Sequence, residues 1–240
     1  MPDPERSVTR RQLLVAGGAG LVIGAAGTEI GNLATAPASA PSTSIDPPDV
    51  DLMQEHGVLK RILLIYQEAI DRISAGTGPP LAAINRSATI VHQFIEGFHE
   101  ALEEGYVFPT LRNAGQLVST VDTLLVQHAR GRQRTQVILA ATNPTSQTSA
   151  ADIEQASSAM AAFVRMYQPH EAREDTVVFP AYRAILSPSE LDRLGVTFAG
   201  LQRQQFGPHG FNDFVAEVAS IEESLGIYDL DQFTPPSITP

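Results

Sequence analysis

The chain has no cysteine in its 240 residues. Disulfides, zinc fingers, iron–sulfur ligation and thiol catalysis are thereby excluded, and any metal must be held by histidine and carboxylate side chains. Basic residues are scarce too: 16 Lys and Arg stand against 27 Asp and Glu, for a net charge of −11. A phosphate-binding surface needs clustered cations, so nucleic acid is not an expected partner. The acidic balance favours solubility. No stretch alternates with period two, which predicts an all-α fold. The apolar run from Leu13 to Gly27 is short for a membrane span. With 43% hydrophobic residues, the length suits one medium domain with appendages.

The first forty residues differ in kind from the rest and read as an export signal and linker. Arg6, Arg10 and Arg11 precede the apolar, glycine-rich run, and the small-residue stretch NLATAPASAPSTS follows it. The segment TRRQLL resembles the twin-arginine export signature, with Thr9, Arg10, Arg11 and Leu13 in place. Small residues at Ala36 and Ala38 favour cleavage after Ala38. The expectation is an exported protein, periplasmic, cell-wall or extracellular, with no stable membrane span once the signal is cut and a membrane anchor if it is not. Twin-arginine export serves proteins that load cofactors before crossing, so a cofactor is favoured.

What is present twice is more telling. HEALEEGYVFP at 99–109 and HEAREDTVVFP at 170–180 agree at seven of eleven positions. A lone histidine precedes each copy at nearly the same distance: His56 lies 43 residues before His99, and His128 lies 42 before His170. The chain is a duplicated unit, H…HxxxE.

Apolar spacing places these residues on helices. The first helix shows Leu52, His56, Leu59, Leu63, Tyr66, Ile70 and Ile73 on one face and ends in SAGTGPP. The second carries Ile84, Ala88, His92, Ile95, His99, Glu103 and Tyr106 and is expected to end near Pro109. The third carries Leu117, Val121, Leu124, His128, Thr135 and Ile138 and stops in ATNPTSQTS. The fourth runs from about Ala151 to Val178, stops by Pro180, and is expected to kink just before His170 at Pro169. Ser187-Pro188-Ser189-Glu190 is a capping box that starts a fifth helix running to about Phe206. A sixth carries Phe211, Phe214, Val215, Val218, Ile221 and Leu225. The predicted architecture is an antiparallel four-helix bundle over 41–182, with two C-terminal helices in 183–240 packed on it.

A His and a Glu four apart are separated by about 400° around a helix, so both point the same way. Four antiparallel helices bring such inward groups to one level. His56 and His128 from helices one and three, with His99/Glu103 and His170/Glu174 from helices two and four, make four imidazoles and two carboxylates. Buried without partners, each such group costs roughly 2–7 kcal/mol, and cations remove that cost. Nitrogen and oxygen ligation without sulfur suits iron, manganese or zinc. Six side chains around two metals leave open positions.

These residues resemble the hemerythrin-like HHE cation-binding domain over about Asp51 to Tyr182, and the C-terminal stretch through LGIYDL resembles extended members. The resemblance implies a non-haem di-iron centre, with His56, His99, Glu103, His128, His170 and Glu174 as ligands. Oxygen-carrying hemerythrins have a second histidine on the third helix, four residues from the first. Here those positions hold Leu124 and Arg132, which implies an extra vacancy and a reactive role toward peroxide, oxygen or nitric oxide, as in a peroxidase-, catalase- or oxidase-like enzyme. The alternative is a non-catalytic metal-binding or sensing module.

Other polar groups have weaker expectations. Glu96-x-x-His99 is an ExxH motif without a second copy, because Tyr167 stands where the other glutamate would be. Glu96 is expected beside the ligands or at the surface. His92 is placed on about the ligand face, as a group that orients a ligand, an alternative ligand or a boundary histidine. Glu100 and Glu171 are expected solvated or hydrogen-bonded at the site's edge. Tyr106 and Tyr167 are expected either to serve the site with a proton or to fill the core. His209 has no ligand role, and Arg130, Arg132 and Arg134 form a solvated face or meet the site's outer carboxylates.

Overall fold

A computed structural model describes residues 45–238; the expected export signal lies outside them. Helix α1 is Pro48–Ser74. Helix α2 is a continuous rod over 81–113. Helix α3 is Val118–Ala141, and α4 is a second rod over 150–185. Short connections make sequence neighbours antiparallel, and α1 to α4 close into a four-helix ring. Helices α5 (Pro188–Phe206) and α6 (Gly210–Leu225) pack against α1, and α6 also against α2. A short 3₁₀ turn, Leu230–Phe233, follows. No strand occurs among the described residues, so the all-α bundle with two added helices stands. No described helix is long and apolar enough to cross a membrane.

Local chemistry accounts for the helix starts. Ser149 caps α4 by accepting from Asp152 N–H while the Asp152 carboxylate accepts from Ser149 N–H. Ser187 and Glu190 make the same reciprocal pair at α5, with Pro188 in the first turn. Above the histidine level the bundle is filled by apolar side chains such as Ile62, Tyr66, Val91, Ile95, Ile138 and Phe163, all buried.

The prolines correct two expectations. Neither Pro109 nor Pro180 ends its helix; each sits one residue into a helical segment that continues to Asn113 or Ile185. The turns just before them, Glu103–Val107 and Glu174–Val178, are π-helical, and the N–H of Phe108 and Phe179 bonds to the carbonyl of Glu103 and Glu174, five residues back. A proline ring clashes with the carbonyl four residues earlier. Widening the turn relieves the clash at Gly105 and Thr176 and lets the helix go on. Pro169 does not interrupt its helix either, since Ala150–Arg173 is unbroken α-helix. Pro169 lies on the exposed face, where the carbonyl it leaves unbonded is open to water.

Candidate metal centre

Both π-turns begin at the glutamate of HxxxE, a common location for such turns at functional sites. They hold Glu103 and Glu174, fully buried, between His56, His99, His128 and His170, which are at most 4% exposed. The structure brings all six of these residues together. His99 Nε2 lies 3.1 Å from His56 Nε2. Glu103 reaches from His99 Nε2 (3.6 Å) to His128 Nε2 (3.4 Å). Glu174 reaches from His170 Nε2 (3.1 Å) to His56 Nε2 (3.4 Å). Each carboxylate therefore spans both halves of the duplication. Three three-residue groups have donor atoms close enough to share an ion: His56, His99 and Glu103; His128, His170 and Glu174; and, behind His128, Glu100, Glu104 and His128.

Every histidine is held from behind at Nδ1 by an oxygen. Glu55 holds His99 (2.8 Å), Asp175 holds His56 (2.6 Å), Glu104 holds His128 (3.0 Å) and Gln127 holds His170 (2.8 Å). An acceptor at Nδ1 fixes the proton there and turns the Nε2 lone pair toward the centre. The four Nε2 atoms converge on four buried carboxylate oxygens of Glu103 and Glu174 that have no hydrogen-bond partner. Such a set is repulsive by itself and complementary to cations, so the residues fit a pair of metal ions.

The support follows the duplication. The residue before each lone histidine, Glu55 or Gln127, holds the other helix's histidine. The acid after each ligand glutamate, Glu104 or Asp175, holds the lone histidine. The cation four residues past that histidine pairs with this acid: Lys60 lies 2.7 Å from Asp175, and Arg132 lies 2.7 Å from Glu104. Phe108 stacks on His128 at 5.5 Å, and Phe179 on His56 at 5.4 Å. Sequence reasoning missed Glu55, Asp175, Glu104, Gln127 and Lys60. The signal was present in the paired strings EHGVLK at 55–60 and QHARGR at 127–132.

Charge is finely opposed. Burial disfavours charge on His56, but Asp175 and Glu174 outweigh it and push His56 up to about 9. Burial, followed by the nearby His56, holds His99 well below the usual histidine range. Burial and then Glu174 push Glu103 far up. Burial also opposes ionisation of Glu174, yet His170 and His56 hold it down.

The weaker expectations are met in part. His92 is half exposed and bonds Glu96 at 3.1 Å; it is turned away because 91–99 is π-helical, and wider turns shift a residue seven before His99 off its face. Glu96 is buried. Glu100 and Glu171 are not solvated, being 1% and 0% exposed. Glu100 accepts from Tyr167 Oη (2.6 Å) and pairs with Arg132 (2.7 Å). Neither oxygen of Glu171 has a hydrogen-bond partner among the described residues, and Lys60 lies 3.8 Å away. Tyr167 is buried beside His170, and its hydroxyl lies where a Cβ on Gly131 would be, 2.1 Å away. Tyr106 packs on Phe198 of α5. His209 is exposed ahead of α6. A pocket of about 360 Å³ with Leu124, Gln127, His170 and Arg173 in its wall opens beside the site.

Comparison with known proteins agrees with this geometry. An uncharacterized protein of Mycobacterium tuberculosis and one of Mycobacterium bovis are each 51% identical over 185 residues, covering 77% of this chain and 72% of the relative. No solved structure matches significantly. The hemerythrin HHE cation binding domain matches residues 48–182, the span that carries all six inward histidine and glutamate side chains and the residues behind them, and the chain belongs to that family.

Proposed function

We propose that the protein binds two iron ions and that peroxide, oxygen or nitric oxide reacts or binds at open iron positions. The observation that carries this reading is the convergence of four Nε2 atoms on four otherwise unpartnered, buried carboxylate oxygens. Manganese and zinc satisfy the same donor set. His56, His99 and Glu103 would hold one ion, and His128, His170 and Glu174 the other. A redox-active cation there supplies electrons for reducing peroxide or oxygen, and a position for nitric oxide.

The chain's own side chains set the terms. Leu124, four residues before His128, is buried and apolar. Arg132, four residues past His128, is engaged with Glu100 and Glu104. Neither adds a ligand, so coordination positions stay open to small molecules. Phe108 and Phe179 keep bulk water off His128 and His56. The pocket beside His170 offers a small ligand an approach, with Arg173 in its wall to attract anions. Residues 1–40 support an exported location through the twin-arginine route.

Absorption spectra of the iron-loaded protein, with and without peroxide or azide, test the reading. New charge-transfer bands and peroxide decomposition faster than by free iron are expected. A spectrum unchanged by either ligand would sink it.

A further inference from the structure

We propose that Gln202, on a helix beyond the family's matched region, is a positioning residue for one of the two metal positions. On this view the C-terminal helices are part of the centre. The inference rests on the metal-binding reading above. Gln202 Nε2 donates to Glu55 Oε1 at 3.3 Å, while Glu55 Oε2 accepts from His99 Nδ1 at 2.8 Å. Glu55 is fully buried, so each of its oxygens depends on a protein donor. Without Gln202, Oε1 loses its donor inside the protein, and the carboxylate is free to turn toward another one. That turn loosens its hold on His99.

The equivalent histidine of the other half has no such link. His170 is held by Gln127, a neutral amide that lines the open pocket. The two metal positions therefore differ although their ligands are alike. One is backed by a buried carboxylate fixed from α5, the other by an amide at the surface.

The rest of the extension grips the same corner. Phe206 packs edge-on to Phe94 and Phe98 (5.9 and 5.4 Å), and Phe214 stacks on Phe94 at 4.4 Å. Phe94 and Phe98 lie in the π-helical stretch of α2 that leads into His99. Glu222 pairs with Arg61 and Glu217 with Arg86. At the start of α6, Gly210 (φ +35°) leaves room for the glutamine: a Cβ there would come within 3.0 Å of Gln202 Oε1.

Titration of the full chain with ferrous iron under argon tests this, using wild type, Gln202→Leu and Gln202→Glu. Loss of a group that orients a ligand typically weakens metal binding 10–100-fold. Both variants are expected to weaken one of two binding steps about tenfold or more and leave the other unchanged. Anomalous scattering from crystals grown with limiting iron should show occupancy falling at His56, His99 and Glu103. By reciprocity, iron binding should slow amide exchange in α5 of wild type and not of Gln202→Leu. A purely structural glutamine would lower the unfolding midpoint of the metal-free protein and shift both steps together. That result, or two unchanged steps, overturns the inference. A wild type that binds no iron defeats the metal reading itself, and the inference with it.

Discussion

Four histidines facing one another are kept in a usable state by what stands behind them. Removing one such support tests this directly: Asp175→Ala, which takes the acceptor from His56, should lower metal affinity by about 10–100-fold in competition with a chelator. Unchanged affinity would show that the Nδ1 bonds do not set the ligands. Gly131 makes a second case. It lies inside α3, where glycine costs about 1 kcal/mol against alanine, and the open space is filled by the Tyr167 hydroxyl. Gly131→Ala should therefore destabilise the protein by about 1–3 kcal/mol in urea unfolding despite its better helix propensity. Tyr167→Phe should recover part of that loss in the double mutant; full additivity would contradict the steric account. Asp51, raised to about 6 by burial and then by Asp46, acts on pH dependence. A carboxyl raised in the folded state opposes folding once ionised, so the penalty grows from about pH 4 and is complete above about 6. Asp51→Asn should stabilise the protein by about 1–3 kcal/mol at pH 7 and by nothing below pH 3.5.

The turn that carries each inward glutamate departs from regular α-helix. Glu103–Val107 and Glu174–Val178 are π-helical because a proline follows each at the second residue beyond. Pro109→Ala restores a backbone donor and removes the ring, so the turn is free to tighten to ordinary α-helix and rotate Glu103 relative to His99. Circular dichroism should stay unchanged while metal affinity falls at least tenfold; intact affinity would mean that the π-turn is not what aims the glutamate. These turns also mark where the sequence stopped being legible. Counting by 3.6 residues placed His99, Glu103, His170 and Glu174 correctly because each pair lies within one turn. It misplaced His92, since the count had to cross a π-helical stretch, and it read Pro109 and Pro180 as stops because periodicity carries no sign of a widened turn. The capping box at Ser187 was readable because it depends on neighbours three residues apart.

The molecule is two similar halves meeting at a centre that neither completes. Duplication was visible in the repeated HEAxE, and with it the bundle and the six inward groups. The supports were harder to see, because Glu55, Gln127, Glu104 and Asp175 act across helices, on histidines 24 to 119 residues away. The link from Gln202 spans 147 residues and has no counterpart in the other half, so no repeat could reveal it. The central claim is that the bundle exists to hold two cations among His56, His99, Glu103, His128, His170 and Glu174. Elemental analysis of the full chain, purified without chelator and compared with Glu103→Ala/Glu174→Ala, tests it most directly. About two metal ions per wild-type chain and close to none in the double variant are expected. Fewer than about one ion per wild-type chain, or equal metal in both proteins, would contradict it.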